Sequence, residues 1–195
     1  MNELDAAIYV LGWDGVSYLS KVIQTFEFCQ AKSHISHCPQ RPVEGVVEYS
    51  AELDGLFKGG TYRKQLLGVG HVNGTEANVY RWAMTRGEYL ACVDQSEEWA
   101  EDKVPYDLRG VLGFASRKDW GEGPQSLFCS ESVMWLSSLY VATNPILCDV
   151  DPWKVGPNEM CHSPVLARNR IGRIKVLDGK AGKWMWIDQV REKAA

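Results

Sequence analysis

Leu127-Phe128-Cys129-Ser130-Glu131-Ser132-Val133 is the stretch on which the reading of this chain turns. Beyond it, apolar residues fall at Val133, Leu136, Leu139 and Tyr140, offsets that suit one face of an α-helix. Ser130, Glu131 and Ser132 are first-turn residue types, whose hydroxyls and carboxylate satisfy free amides. Cys129 is therefore expected at or just before a helix N-terminus, where the partial positive charge favours thiolate. A cysteine buried elsewhere behaves as a small inert hydrophobe, so this placement is what makes it a candidate nucleophile.

The 195 residues suit one domain spanning 1–195, and 45% hydrophobic with 24% charged residues is the composition of a globular protein. A net charge of −4 gives no electrostatic case for nucleic acid or an anionic membrane as partner. The apolar runs fall short of a membrane span, and Met1-Asn2-Glu3-Leu4-Asp5 lacks the basic start of a secretory signal. Six cysteines without tight spacing (Cys29, Cys38, Cys92, Cys129, Cys148 and Cys161) read as reduced thiols, so a cytoplasmic location is expected.

Taken in order, residues 6–11 read as a short buried strand or helix start before a turn at 12–15. Residues 17–30 carry Tyr18, Val22, Phe26 and Cys29 at roughly helical spacing. Segments 32–38 and 45–50 read as strands on either side of Pro39 and Pro42. A hairpin centred on Arg41 would set His34 opposite Glu48, and period two would place His34, Ser36, Val46 and Glu48 on one face. Directly opposed side chains are close enough for Glu48 to hold the His34 imidazole, with Ser50 as the diagonal alternative. Strands are expected at 66–72 and 77–82 around Asn73-Gly74, and a short apolar run at 89–93. A turn or two of helix is expected at 96–102, and a loop entering a short helix from Pro105. A helix over 164–171 and a hairpin of 171–177 with 184–187 complete the chain. The fold class is α+β: an antiparallel sheet packed against a helix that carries Cys129 at its N-terminus.

Four pieces in fixed order carry a resemblance: Ser33-His34-Ile35; Val47-Glu48-Tyr49-Ser50 with Asp54-Gly55-Leu56; Pro105-Tyr106-Asp107-Leu108; and Phe128-Cys129-Ser130-Glu131-Ser132-Val133. With the histidine strand ahead of the cysteine helix, the chain resembles the circularly permuted papain-fold hydrolases. These are relatives of the NlpC-type cysteine peptidases and include YiiX-like and lecithin retinol acyltransferase-like groups. The resemblance covers about 17–140. It implies a permuted papain-like fold, Cys129 as nucleophile, His34 as base, and a polar residue that orients the base. Glu48 takes that third place, with Ser50 and His37 as alternatives, and Tyr106 is the candidate second oxyanion donor. The implied partner is a peptide, amide or acyl-ester substrate, bacterial cell-wall peptides among them, and no cofactor or metal is called for. His37 departs from the family strand, which is usually apolar or acidic there. The C-terminal extension, with its hairpin at 171–187, matches nothing in the family. The run Tyr106-Asp107-Leu108-Arg109-Gly110-Val111-Leu112-Gly113-Phe114 is similar to small phage and prophage proteins, which would make the chain phage-encoded.

The chemistry needs these residue types. A thiolate attacks a carbonyl, imidazole handles the proton, and a carboxylate fixes the tautomer and favours imidazolium. The developing oxyanion needs donors, which the Cys129 N–H and the Tyr106 hydroxyl would supply. Asp107 reads as a loop or helix cap. Three other readings compete. One is an acyltransferase or thioesterase of the same fold. Another is a zinc site from Cys29, His34, His37 and Cys38, with Cys161-His162 further on, although the paired Cys-x-x-Cys knuckles of such sites are missing. The last is a non-catalytic interaction module, in which some of the eight tryptophans would form a carbohydrate or protein surface instead of core.

Overall fold

The computed structural model describes residues 4–14, 32–55, 59–108 and 125–189. The helix expected over 17–30 lies outside them, as do Cys29, Trp120 and the segment that would follow Leu108. The described chain is α+β. Seven strands form one antiparallel sheet in the order β4-β3-β2-β1-β5-β6-β7. They are β1 (Ala6–Asp14), β2 (Lys32–Cys38), β3 (Val47–Gly55), β4 (Gly59–Leu66), β5 (Glu76–Met84), β6 (Arg170–Asp178) and β7 (Lys183–Gln189). The helices are α1 (Arg86–Glu101), α2 (Cys129–Tyr140) and the short α3 (Pro157–Cys161) and α4 (Pro164–Ala167). No helix among the described residues is long and apolar enough to cross a membrane.

Alternation sorts each strand between two cores. Ile8 and Val10 of β1, Ile35 of β2, Tyr49 and Ala51 of β3 and Trp82 and Met84 of β5 form one cluster with Val133, Met134 and Leu136 of α2. The opposite parity, Leu11, Trp13, Cys38, Ala77 and Val79, packs with Leu67, Ile171, Ile174 and Val176 in a second cluster, against which Trp184 and Trp186 lie. Most of the described tryptophans are thus core or lean on it, as their size dictates.

Several expected boundaries shift for local reasons. The apolar run at 89–93 and the turn expected at 96–102 are one helix, α1. Its Thr85 cap accepts from the Glu88 N–H while the Glu88 carboxylate accepts from the Thr85 N–H, a complete capping box. The strand expected at 66–72 ends at Leu66, because Gly68 (φ +90°) and Gly70 (φ +83°) bend the chain into turns that a strand cannot hold. Of the turn expected at 12–15, Gly12, Trp13 and Asp14 pair in β1 instead, and Gly15 lies outside the described residues. The helix expected over 164–171 is one turn, α4, before β6. The C-terminal hairpin forms as expected, and Asp178 closes its turn by accepting the N–H groups of Lys180 and Ala181.

Candidate active site

Cys129 is the first residue of α2, as its sequence context predicts. The Glu131 carboxylate reaches back to accept the Phe128 N–H at 3.2 Å, and the Ser132 hydroxyl donates to the Cys129 carbonyl at 2.8 Å. The Ser130 hydroxyl donates to the Val155 carbonyl and locks this end to the following segment. The N–H of Cys129, lying in the first turn, has no acceptor within the helix and stays available to a ligand. Leu139, expected on the buried face, is exposed, while Met134 and Ser137 face inward.

Leu127, two residues ahead, is tied to the segment that carries Tyr106. The Leu127 N–H donates to the Pro105 carbonyl and the Asp107 N–H to the Leu127 carbonyl. The Tyr106 N–H in turn donates to Gly60 of β4. Tyr106 thus stands beside the cysteine. Burial and the negative charges of Cys129 and Glu52 push its phenol well above the usual tyrosine range, so it keeps its O–H and remains a donor.

His34 lies near the start of β2, where the Cys129 side chain hydrogen-bonds its imidazole. Burial works against charging the ring, but Cys129 and then Glu52 outweigh it and hold His34 well above the ordinary imidazole value. Its Nε2 faces Ser50 Oγ at 2.9 Å and Glu52 Oε1 at 3.5 Å. The Ser50 hydroxyl hydrogen goes to the Ile35 carbonyl at 3.0 Å, so Ser50 accepts from His34 Nε2–H. That leaves Nδ1 as the nitrogen for exchange with the thiol.

Glu48 is not the carboxylate at His34. The strands pair with His37 opposite Tyr49, which sets His34 across from Glu52 and centres the reversal on Val43 instead of Arg41. The Val46 N–H donates to the Val43 carbonyl, and Gly45 takes φ +81° in that turn. A slip of four residues preserves the face and changes the partner. Glu52 replaces Glu48 beside the base, and Ser50 is indeed diagonal to it. Burial opposes ionisation of Glu52, while His34, His71 and Arg63 keep its carboxyl below the usual range.

Glu48 is wholly buried and has other work. It accepts from the Ser36 hydroxyl at 2.6 Å and from the Gly68 N–H at 3.0 Å, and its Oε1 lies 3.4 Å from His71 Nε2. Trp13 donates from Nε1 to the same Ser36 oxygen, and its ring stacks on His71 at 3.7 Å between centroids. His71 sits edge-on to His34, with centroids 5.7 Å apart. Nothing in the sequence singles out His71, a lone histidine between Gly70 and Asn73-Gly74; only the closing of that loop over the sheet brings it to the site.

The sequence cluster of thiols and imidazoles comes apart in the fold. His37 points to the opposite face from His34 and Cys38. Burial lowers its pKa to about 3, and its Nε2 lies 3.0 Å from Ser96 Oγ of α1. Cys38 is raised well above the usual thiol range by burial and the Glu48 charge, and Cys92 is pushed up to about 12 by burial. Cys161 packs near Gly12, and His162, exposed just past the end of α3, bonds Asn158. Among the described residues, no four-ligand set of the expected kind forms. Comparison of the chain with models of known families, with curated proteins and with solved structures finds no match.

Proposed function

We propose that this chain is a cysteine-dependent hydrolase of amide, peptide or acyl-ester bonds, built as a permuted papain-like domain. The observation that carries the reading is one hydrogen-bonded line: Cys129 at a helix start, His34 against its thiol, and Glu52 with Ser50 on the far nitrogen of the ring. The order of histidine strand before cysteine helix, with both packed on one antiparallel sheet, supports the permuted fold.

In the proposed cycle, Cys129 gives its proton to His34 and attacks the substrate carbonyl, forming the carbon–sulfur bond. The oxyanion takes donors from the Cys129 N–H and the Tyr106 hydroxyl. His34 returns the proton to the leaving amine or alkoxide as that bond breaks, leaving a thioester. Water, deprotonated by the same imidazole, then attacks the thioester and releases the acid and the thiol. Glu52 holds the ring and stabilises its protonated form throughout, the part taken by the third member of related triads.

The test is turnover of acyl substrates, cell-wall peptides first, by the parent chain and the Cys129→Ala and His34→Ala variants. Both variants should lose turnover by a similar factor, because nucleophile and base act as a unit. Alkylation of Cys129 by iodoacetamide, followed by mass spectrometry, should slow in folded His34→Ala. Normal turnover in either variant refutes the assignment.

A further inference from the structure

Beyond the hydrolytic reading, His34, Glu52 and His71 bring two imidazole nitrogens and a carboxylate oxygen within 4.8 Å of one another. We infer that these three residues form a binding site for a divalent transition-metal ion, Zn²⁺ by its donor set. Two histidines and one carboxylate are among the ligand sets that zinc accepts, and bonds of about 2.0–2.1 Å place donors about 3.3–3.5 Å apart in a tetrahedron. His34 Nε2 and Glu52 Oε1 already stand at 3.5 Å. Only His71 has to approach, and it sits on the turn that Gly68 and Gly70 shape.

His71 Nε2 is a buried nitrogen without a hydrogen-bond partner, an arrangement that costs free energy unless something binds there. The ring is nonetheless aimed: Trp13 stacks on its face, and Glu48 lies 3.4 Å from the same nitrogen. Glu48 falls outside the three-residue set and would contribute charge. With Glu52 it puts two carboxylates around the dication. Metal binding replaces the Nε2 proton of His34, which passes to solvent, and Ser50 keeps its bond to the Ile35 carbonyl.

The consequence for activity rests on the hydrolase reading. With zinc on Nε2, His34 is a neutral imidazole that carries only the Nδ1 proton. A neutral imidazole releases its N–H far less readily than an imidazolium, so it protonates the leaving group poorly. Zinc would then inhibit turnover reversibly.

The experiment titrates ZnCl₂ calorimetrically into the full chain carrying Cys129→Ala, so that binding cannot come from that thiol, and then into the same chain with His71→Gln or Glu52→Gln. One zinc should bind per chain in Cys129→Ala, and each added substitution should weaken it at least about tenfold. Absence of binding in Cys129→Ala, or unchanged affinity in both double variants, overturns the site; Glu52→Gln decides if His71→Gln does not fold. Zinc should inhibit the parent's turnover, and inhibition of His71→Gln, read against that variant's own zinc-free rate, should need at least about tenfold more zinc. Zinc binding in a chain that turns over nothing keeps the metal site and counts against the hydrolase reading alone.

Discussion

His34 is reached by two kinds of carboxylate effect, and substitutions separate them. Glu52 favours the imidazolium directly, so Glu52→Gln should lower turnover by about 10²-fold or less, the low end of an acid–base partner's contribution. The sign of the pH effect follows from the shift: Cys129 and Glu52 raise His34 against burial, and removing one of them lowers it. The basic limb of kcat/KM should therefore move to lower pH in Glu52→Gln. Glu48→Gln weakens the bonds to Ser36 and Gly68 instead and should cost about 1–3 kcal/mol of stability, read from urea unfolding, with the basic limb in place. A limb that moves with Glu48→Gln and not with Glu52→Gln would return the orienting role to Glu48. This pair also marks what the sequence could tell. Cys129 was legible because local context places it at a helix start and His34 because its segment reads as a strand, whereas Tyr106 was named by the family resemblance alone. Period two gave the right face for the carboxylate, but register is fixed by turn geometry, and two prolines left the centre of the turn open. His71 carried no local signal at all.

The C-terminal hairpin shows its role at the scale of elements. It is stitched to the loop that carries His71: Gly70 donates to the Gly179 carbonyl, Gly74 to Val176, and the Gly179 N–H to the Asn73 side chain. β6 and β7 thus hold the roof of the site from a hundred residues away, a contact of such sequence separation that no local pattern announces it. Gly179 is where the two meet, since a Cβ there would lie 1.7 Å from the His71 carbonyl oxygen. Gly179→Ala should therefore force backbone apart and destabilise by about 1–3 kcal/mol, as overpacking does. Gly87 is the control. It lies in the first turn of α1 with open space around it, so Gly87→Ala should stabilise by about 0.5–1 kcal/mol through helix propensity. Denaturant midpoints of the two variants moving in opposite directions would bear this out. A Gly179→Ala chain as stable as the parent would mean that the hairpin and the loop are not joined in this way. The elements that sequence reading did find, α2, the strands β2, β3 and β5 and the hairpin itself, are those whose signals are local: capping residues, an apolar stripe, runs of strand-forming residues and an Asp-Gly turn.

Acid stability belongs to the whole molecule, because the group that sets its first loss joins sheet to helix layer. His37 stacks on Tyr49 of β3 at 5.4 Å between centroids and meets Ser96 of α1. The Ser96 hydroxyl donates to the Cys92 carbonyl, so His37 donates from Nε2–H, and burial holds the ring neutral. Burial puts its folded pKa at about 3, below the ordinary 6.5 that the unfolded chain retains. Between those values the unfolded state takes up a proton that the folded state refuses. The contribution of His37 is therefore full above pH 6.5 and is lost as pH falls, by about 1.4 kcal/mol per pH unit. His34 works the other way above pH 6.5, where its raised value keeps the folded ring protonated while the unfolded ring loses its proton; it offsets part of the loss until both states are protonated. Glu88, held down to about 2 despite some burial by bonds to Thr143 and Thr85, adds its loss only as pH falls from about 4.5 towards 2. Acidification from pH 7.5 to 5.0, followed by urea unfolding, should thus cost the parent about 2 kcal/mol more than a chain in which position 37 cannot titrate. His37→Phe keeps an aromatic ring against Tyr49, cannot titrate, and is that chain. An equal fall in both proteins would move the origin of the acid sensitivity away from the interface of β2 with α1.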